Sequence, residues 1–202
     1  DMTEAYPLLN LENPYQDANH LQPNLNSAVQ NLYNQAKPYE NRDPRLKASI
    51  YYDGSKLNLE TGTLVSTKTG GNCALDPSNA RYTCTGYYTR KFSHYKSGRS
   101  GNLDGYFKEF RLAELYLNYA EAANEASTTG TVPNDAVDAV NTVRSRVGMP
   151  GIPYGLSCDQ FRLRVRNERR VELAFEEHRF FDVRRWTILD QTDKAVTGMK
   201  EH

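Results

Sequence analysis

Charge of one sign is missing from this chain. Its 25 Lys and Arg are matched by 25 Asp and Glu over 202 residues, for a formal net charge of 0. A nucleic-acid-binding arm carries a one-sided basic excess, so that function class is excluded. Long apolar runs are missing too: no stretch of about 18 apolar residues exists, and no segment reads as membrane-spanning. Hydrophobic residues make up 38% of the chain and mean hydropathy is −0.75. These values are low for a self-sufficient domain, so the chain holds one sizeable core or part of a larger one. His20, His94, His178 and His202 show neither i, i+4 pairing nor an HExxH pattern, which argues against a zinc enzyme. No Gly-rich phosphate loop opens a helix, and no GxSxG elbow is present. Glu176 and Glu177 are adjacent, and neighbours on a helix point apart, so they could not flank one glycosidic bond. With no assembled constellation, the expectation is a protein without catalysis, bound metal or cofactor.

What is abundant is arginine, and half of it lies in one stretch of 26 residues, FRLRVRNERRVELAFEEHRFFDVRRW, from Phe161 to Trp186. On a helical wheel Phe161, Leu163, Val165, Val171, Ala174 and Phe175 share one broad arc. Arg164, Glu168 and Glu172 fall on the same arc at i, i+4 spacing. An isolated buried ion costs several kcal/mol, so charges on a buried arc must be paired. The stretch therefore reads as a buried, cross-paired helix. Trp186 and the Phe180–Phe181 pair could in principle stack bases, but their spacing predicts that they close the helix end as core.

Punctuation and periodicity outline the rest. Ser27–Ala36 has the pattern of a short amphipathic helix, built on Val29, Leu32 and Tyr33. Asp43–Pro44 sets an N-cap candidate before a first-turn proline, and the run ASIYY at Ala48–Tyr52 is β-prone. From there to about Leu103 the chain is rich in Gly, Ser, Thr, Asn and Tyr with little periodicity, which predicts long loops with hairpin fragments. After Gly105, Phe110, Leu112, Leu115, Tyr116, Tyr119 and Ala123 recur at helical spacing, with Ala120 and Ala122 allowing close approach. A second helix, capped by Asn134 or Thr131, aligns Val137, Val140, Val143 and Val147 and ends at Gly148 and Pro150. The two together read as one tetratricopeptide-type unit. A third helix starts near Ser157, where Ser157 and Gln160 have capping-box spacing.

The loop region carries the best candidates for binding. Tyr82, Tyr87, Tyr88, Phe92 and Tyr95 crowd into fourteen residues beside Asn79, Arg90, Lys91, His94 and Lys96. Aromatic faces with polar neighbours suit a sugar, whose C–H faces stack on rings while polar side chains fix its hydroxyls. Tyr87, Tyr88, His94 and Tyr95 are the candidate ligand-binding residues, between about Gly70 and Gly101. The same alternation also suits a β-hairpin packed on the helices.

Five segments carry a family resemblance. The run RNERRVELAFEEHRFFDVRRW at Arg166–Trp186, NRDPRL at Asn41–Leu46, FRLAELYLNYAEAANEA at Phe110–Ala126, AVDAVNTVRSRVGMP at Ala136–Pro150 and the opening DMTEAYP resemble, in order, the SusD/RagB family of Bacteroidetes outer-membrane nutrient-binding lipoproteins. Glu177 stands where many members carry Gly, a departure that touches only the local helix ending. The resemblance implies a mainly α, SusD-like fold with a tetratricopeptide-type helix pair, long loops and short β-hairpin elements. Residues 1–202 would form part of a single such domain, loop-rich over 1–105 and helical over 106–202.

It also implies a surface-exposed outer-membrane protein of polysaccharide utilisation that captures a glycan such as starch, or in some relatives peptides, and hands it to a SusC-like TonB-dependent transporter. A tetratricopeptide-like adaptor for protein ligands is the alternative. Members have a secretion signal and an N-terminal lipid-attached Cys, so the chain is expected to be an internal fragment that meets the membrane only through an anchor outside it. Cys73 and Cys84 flank an Asp76–Pro77 turn; in the cytosol the pair would stay reduced, while the surface location the resemblance implies favours a bridge. Cys158 has no obvious mate and reads as a small buried hydrophobe.

Overall fold

The structure, a computed structural model, describes residues 34, 36–58, 61–74, 83, 85–93 and 108–192. The chain divides into two compact units, residues 1–46 with 108–192, and residues 47–107 with 193–202. Most of the expected Ser27–Ala36 helix lies outside the described residues.

Helix α1, Pro44–Ser49, carries the chain from the first unit into the second. Its start follows from two residues: the Asp43 carboxylate accepts from the Arg45 N–H at 2.9 Å, and Pro44 sits where a missing N–H costs nothing. Of the β-prone run Ala48–Tyr52, Ala48 and Ser49 end the helix and Ile50–Tyr51 form strand β1, which pairs antiparallel with β2, Tyr88–Thr89. Ile50 lies opposite Thr89 and Tyr51 opposite Tyr88. Next to this pair the backbone of Gly54 donates to Val65 and that of Val65 to Ser55, both at 2.8 Å, burying the Val65 side chain. The described part of the second unit after α1 is thus loops tied by short β elements.

The first unit is helical: α2 (Leu112–Ala126), α3 (Asn134–Ser145), α4 (Cys158–Glu172), α5 (His178–Arg185) and α6 (Leu189–Thr192). Its core gathers Leu117 and Ala120 of α2, Val137, Val140 and Val143 of α3, and Phe161 and Val165 of α4. The valine spacing of α3 is what buries one face, and Gly148, at φ +71°, turns the chain after it. Helix α4 begins with the expected capping box, Ser157 Oγ accepting from the Gln160 N–H at 3.2 Å and Gln160 Oε1 from the Ser157 N–H at 3.1 Å. Among the described residues no helix is long and apolar enough to cross a membrane.

Three local expectations need correction. Helix α3 is preceded by Pro133, with no side-chain cap from Thr131 or Asn134; proline's fixed φ pre-sets the entry instead. Phe110, just before α2, and Leu112, Leu115 and Tyr119 on it are exposed, and the buried face carries Leu117, Ala120, Glu121 and Asn124. Cys158 is half-buried at the first position of α4.

The arginine-rich stretch is two helices. Helix α4 stops at Glu172, Phe175 and Glu177 take left-handed backbone at φ +64° and +65°, and α5 restarts at His178. The break resets the helical phase, which exposes Phe180 and Phe181 while Val183 and Trp186 go inward with Ile188. Left-handed backbone costs an L side chain roughly 1–2 kcal/mol, part of which glycine returns through its extra freedom in the unfolded chain. Glu177→Gly is therefore expected to stabilise the protein by up to about 1 kcal/mol. A denaturant midpoint that falls for this variant would contradict the reading.

Candidate functional site

Two clusters of the first unit and one region of the second hold every described candidate residue. The first cluster centres on Glu168, which is only 1% exposed. Arg45 Nη1 donates to its Oε1 at 2.5 Å and Arg144 Nη1 to its Oε2 at 2.8 Å. The same Arg45 reaches Glu172 Oε2 at 2.8 Å and Asp43 Oδ2 at 2.6 Å. Glu172 Oε1 accepts from Arg111 at 2.6 Å and from Arg146 at 2.7 Å, and Arg111 also grips the Glu176 carboxylate. Three segments are pinned to one face of α4 in this way, around Arg45, Arg111 and the end of α3. Arg164, expected on that face, is half-buried, and the buried cations on Glu168 include Arg45 and Arg144.

Electrostatics keep this cluster charged. Burial works to raise the Glu172 carboxyl, but Arg45 and Arg111 outweigh it and hold the group below its ordinary value. Arg45 is likewise held well above its ordinary value, burial being overcome by Glu168 and Asp43. A carboxyl with a depressed folded value gives stability that is fully present above its unfolded value and is lost as pH falls through the folded one. The unfolding midpoint should thus hold from neutral pH to near pH 5 and drop below about pH 4. In Glu172→Gln the Glu172 share of that drop should vanish; an unchanged acid slope in this variant would contradict the assignment.

The second cluster lies where α5 meets α2. Glu121 accepts both ends of the Arg185 guanidinium and the Trp186 indole N–H, the last at 2.6 Å. Asp182 takes Arg169 at 3.1 and 3.2 Å and Arg185 at 2.7 Å. Arg169 Nη1 also donates to Asn118 at 2.5 Å. The Trp186 ring is faced by Arg166 and Arg185, each 4.8 Å from its centroid. Every carboxylate here already holds an arginine, which suits it to fastening helices and not to accepting a substrate proton. Trp186 therefore closes α5 as expected, buried with its one polar atom satisfied.

The third region is the short sheet of the second unit. Tyr88 sits on β2 with its hydroxyl donating to the Cys73 carbonyl at 3.3 Å, and Tyr87 precedes the strand; both are half-buried. Arg90 packs its guanidinium over the Tyr51 ring, 5.4 Å from the centroid, and donates to the Lys47 carbonyl at 2.7 Å. Burial pushes the Tyr52 phenol up, against an opposing pull from Arg90. Asp53 accepts from the backbone N–H and hydroxyl of Thr67 at 2.8 and 3.3 Å. The arrangement offers partly open aromatic rings with carboxylate, guanidinium and hydroxyl groups nearby on short loops. His94 and Tyr95 lie outside the described residues, as do Tyr82 and Asn79. So does Cys84; Cys73 carries a free, half-buried thiol, pushed up by burial, so the expected Cys73–Cys84 bridge is not formed in this structure.

Sequence reasoning missed the cations that answer Glu168 and Glu172, because Arg45 and Arg111 are 123 and 61 residues away along the chain. It also missed Glu121, hidden in a run of small residues. The available signal was pairing logic: buried glutamates on α4 required cations, and Asp43–Pro44–Arg45 already stood out as a motif.

Comparison with known proteins places this geometry. Residues 4–202 match the SusD family. Two SusD-like proteins of Formosa agariphila, P25 and P2, are 40% and 38% identical over 83 and 82 residues, covering 40% and 37% of this chain and 15% and 16% of theirs. A SusD-like protein of Bacteroides fragilis has a crystal structure that superposes with a TM-score of 0.70 at 29% identity, over 94% of this chain and 36% of its own. A second B. fragilis structure, described as a SusD-like carbohydrate-binding protein, gives 0.66 at 27% identity over 93% and 35%. The chain thus spans about a third of the length of these structures and less of the curated relatives. With the match running from residue 4 to the last, and a mainly helical fold shared with those structures, the chain belongs to the SusD family.

Proposed function

We propose that this protein binds a glycan at the cell surface without turning it over, and passes it to a SusC-like TonB-dependent outer-membrane transporter. The observation that carries this reading is membership of the SusD family along nearly the whole chain. The likeness to a B. fragilis protein described as carbohydrate-binding supports the ligand class. The clusters on α4 and α5 support the non-catalytic part, since their carboxylates are saturated with arginine. On this reading the whole protein is lipid-anchored to the outer membrane and surface-exposed, and it needs no cofactor.

The ligand would meet the second unit at Tyr87 and Tyr88, with His94 and Tyr95, whose ring faces and polar atoms suit a sugar. Tyr88 has a structural duty as well, because its hydroxyl fastens the Cys73 segment. Calorimetry against a panel of α- and β-linked glucan, xylan and mannan oligosaccharides, with a reducing-end assay on the same mixtures, tests the reading. Binding of at least one member with no new reducing ends is expected. Release of reducing ends, or no binding across the panel, would overturn it.

A further inference from the structure

The tyrosine-bearing part of the chain is charged differently from the rest. No acid occurs between Asp76 and Asp104, the longest acid-free stretch of the sequence. Arg81, Arg90, Lys91, Lys96 and Arg99 stand there among the tyrosines. The second unit as a whole has ten Lys or Arg against six Asp or Glu. Its excess of four positive charges is balanced by an equal negative excess in the first unit, so the neutral total conceals a division. In the first unit, bases such as Arg45, Arg144 and Arg185 are spent on carboxylates. The basic run of the second unit has no acid beside it in sequence to play that part.

Arg90 is the base that the fold fixes beside the strand. Just after β2 the N–H groups of Arg90 and Lys91 both donate to the Ser49 carbonyl, at 2.8 and 3.2 Å, and the Ser93 N–H closes the turn on the Arg90 carbonyl at 2.8 Å. This backbone holds the half-buried Arg90 guanidinium over Tyr51, with Nη1 on the Lys47 carbonyl. Among the described residues no carboxylate pairs with it, and Asp53, the described acid of this unit, serves Thr67. A guanidinium is a planar fork of donors that matches two oxygens of one anionic group, and an unbalanced positive excess draws anions towards it. A neutral sugar would leave that excess unanswered. We propose that the ligand is an acidic glycan, whose ring faces stack on tyrosine while its carboxylate or sulfate ester oxygens are held by Arg90, Lys91 and the bases beyond them in sequence. This inference rests on the glycan reading and narrows it to a charged substrate class.

Calorimetry of the full chain with matched ligands tests it. Xylan oligosaccharides are compared with the same backbone carrying glucuronate, and glucan oligosaccharides with their sulfated forms. At least one charged ligand should bind about tenfold or more tighter than its neutral parent. Raising NaCl from about 50 to 500 mM should remove most of that gain, because screening weakens charge pairing. The arm that gains tells carboxylate from sulfate. Arg90→Gln should weaken the charged ligand about tenfold and its neutral parent by less, and Arg90→Lys should recover part of the loss. Lys91→Gln, which keeps the guanidinium on Tyr51, should act in the same direction and serves as the test if Arg90→Gln does not fold. Equal affinity for charged and neutral ligands, or a gain that neither salt nor these variants reduce, would overturn the inference and leave the glycan reading standing. No binding by any ligand, neutral or charged, would overturn both.

Discussion

Glu168→Ala is expected to destabilise this protein by about 3–5 kcal/mol. The reason is what the change leaves behind. Arg45 and Arg144 are both buried and both spend a guanidinium N–H on Glu168. Among the described residues Arg144 would then keep the Pro150 carbonyl, and Arg45 would share Glu172 and Asp43. A stranded buried charge carries a desolvation penalty that no remaining partner offsets. Glu168→Gln should cost less than Glu168→Ala, because it keeps the volume and one acceptor while still losing the charge. Urea unfolding of the three proteins checks the order. An alanine variant within 0.5 kcal/mol of the parent, the range of ordinary surface substitutions, would show that the cluster is not structural.

Phe161→Ala should cost a comparable 3–5 kcal/mol by a different route. Its ring is completely buried among Leu117, Val137, Val140 and Val165, where α2, α3 and α4 meet. Truncation removes the transfer energy of the ring and leaves a cavity that three helices, cross-tied by arginine, cannot collapse around. Phe181→Ala provides the control, since a ring that is 64% exposed should change stability by no more than about 0.5 kcal/mol. The two midpoints should differ by several kcal/mol despite identical chemistry. Equal losses would mean that Phe181 is packed, as the unbroken helix of the sequence reading had it.

That pair of phenylalanines also shows where sequence was informative. Signals confined to a few residues translated directly: Asp43 and Pro44 start α1, Ser157 and Gln160 cap α4, and the valine spacing buries one face of α3. Phase across a hidden break did not translate. Left-handed backbone at Phe175 and Glu177 has no sequence mark when neither residue is glycine, so the wheel ran on past Glu172 and put Phe180 and Phe181 inside. Helix α2 misled differently. Leu112, Leu115 and Tyr119 are its most apolar stripe, yet Glu121 and Asn124 are buried, because Arg185, Arg169 and Trp186 recruit the glutamate and the Cys158 carbonyl takes the asparagine. The ionic clusters were legible as a requirement on α4 but not as partners, which are set by tertiary structure. Of the candidate ligand residues, the alternating tyrosines yielded a strand at Tyr88, as a β-rich reading allows, while the chemistry of Tyr87 is a matter for binding experiments.

We propose that this chain captures a sugar at the tyrosine-bearing region of its second unit. Calorimetry of the parent and of Tyr87→Ala, with the tightest-binding oligosaccharide of the panel, tests it most directly. Loss of one stacked ring should weaken binding about tenfold, a change of about 1.4 kcal/mol, with the unfolding midpoint unmoved. An affinity that is the same in both proteins would contradict the account and remove the site from these loops.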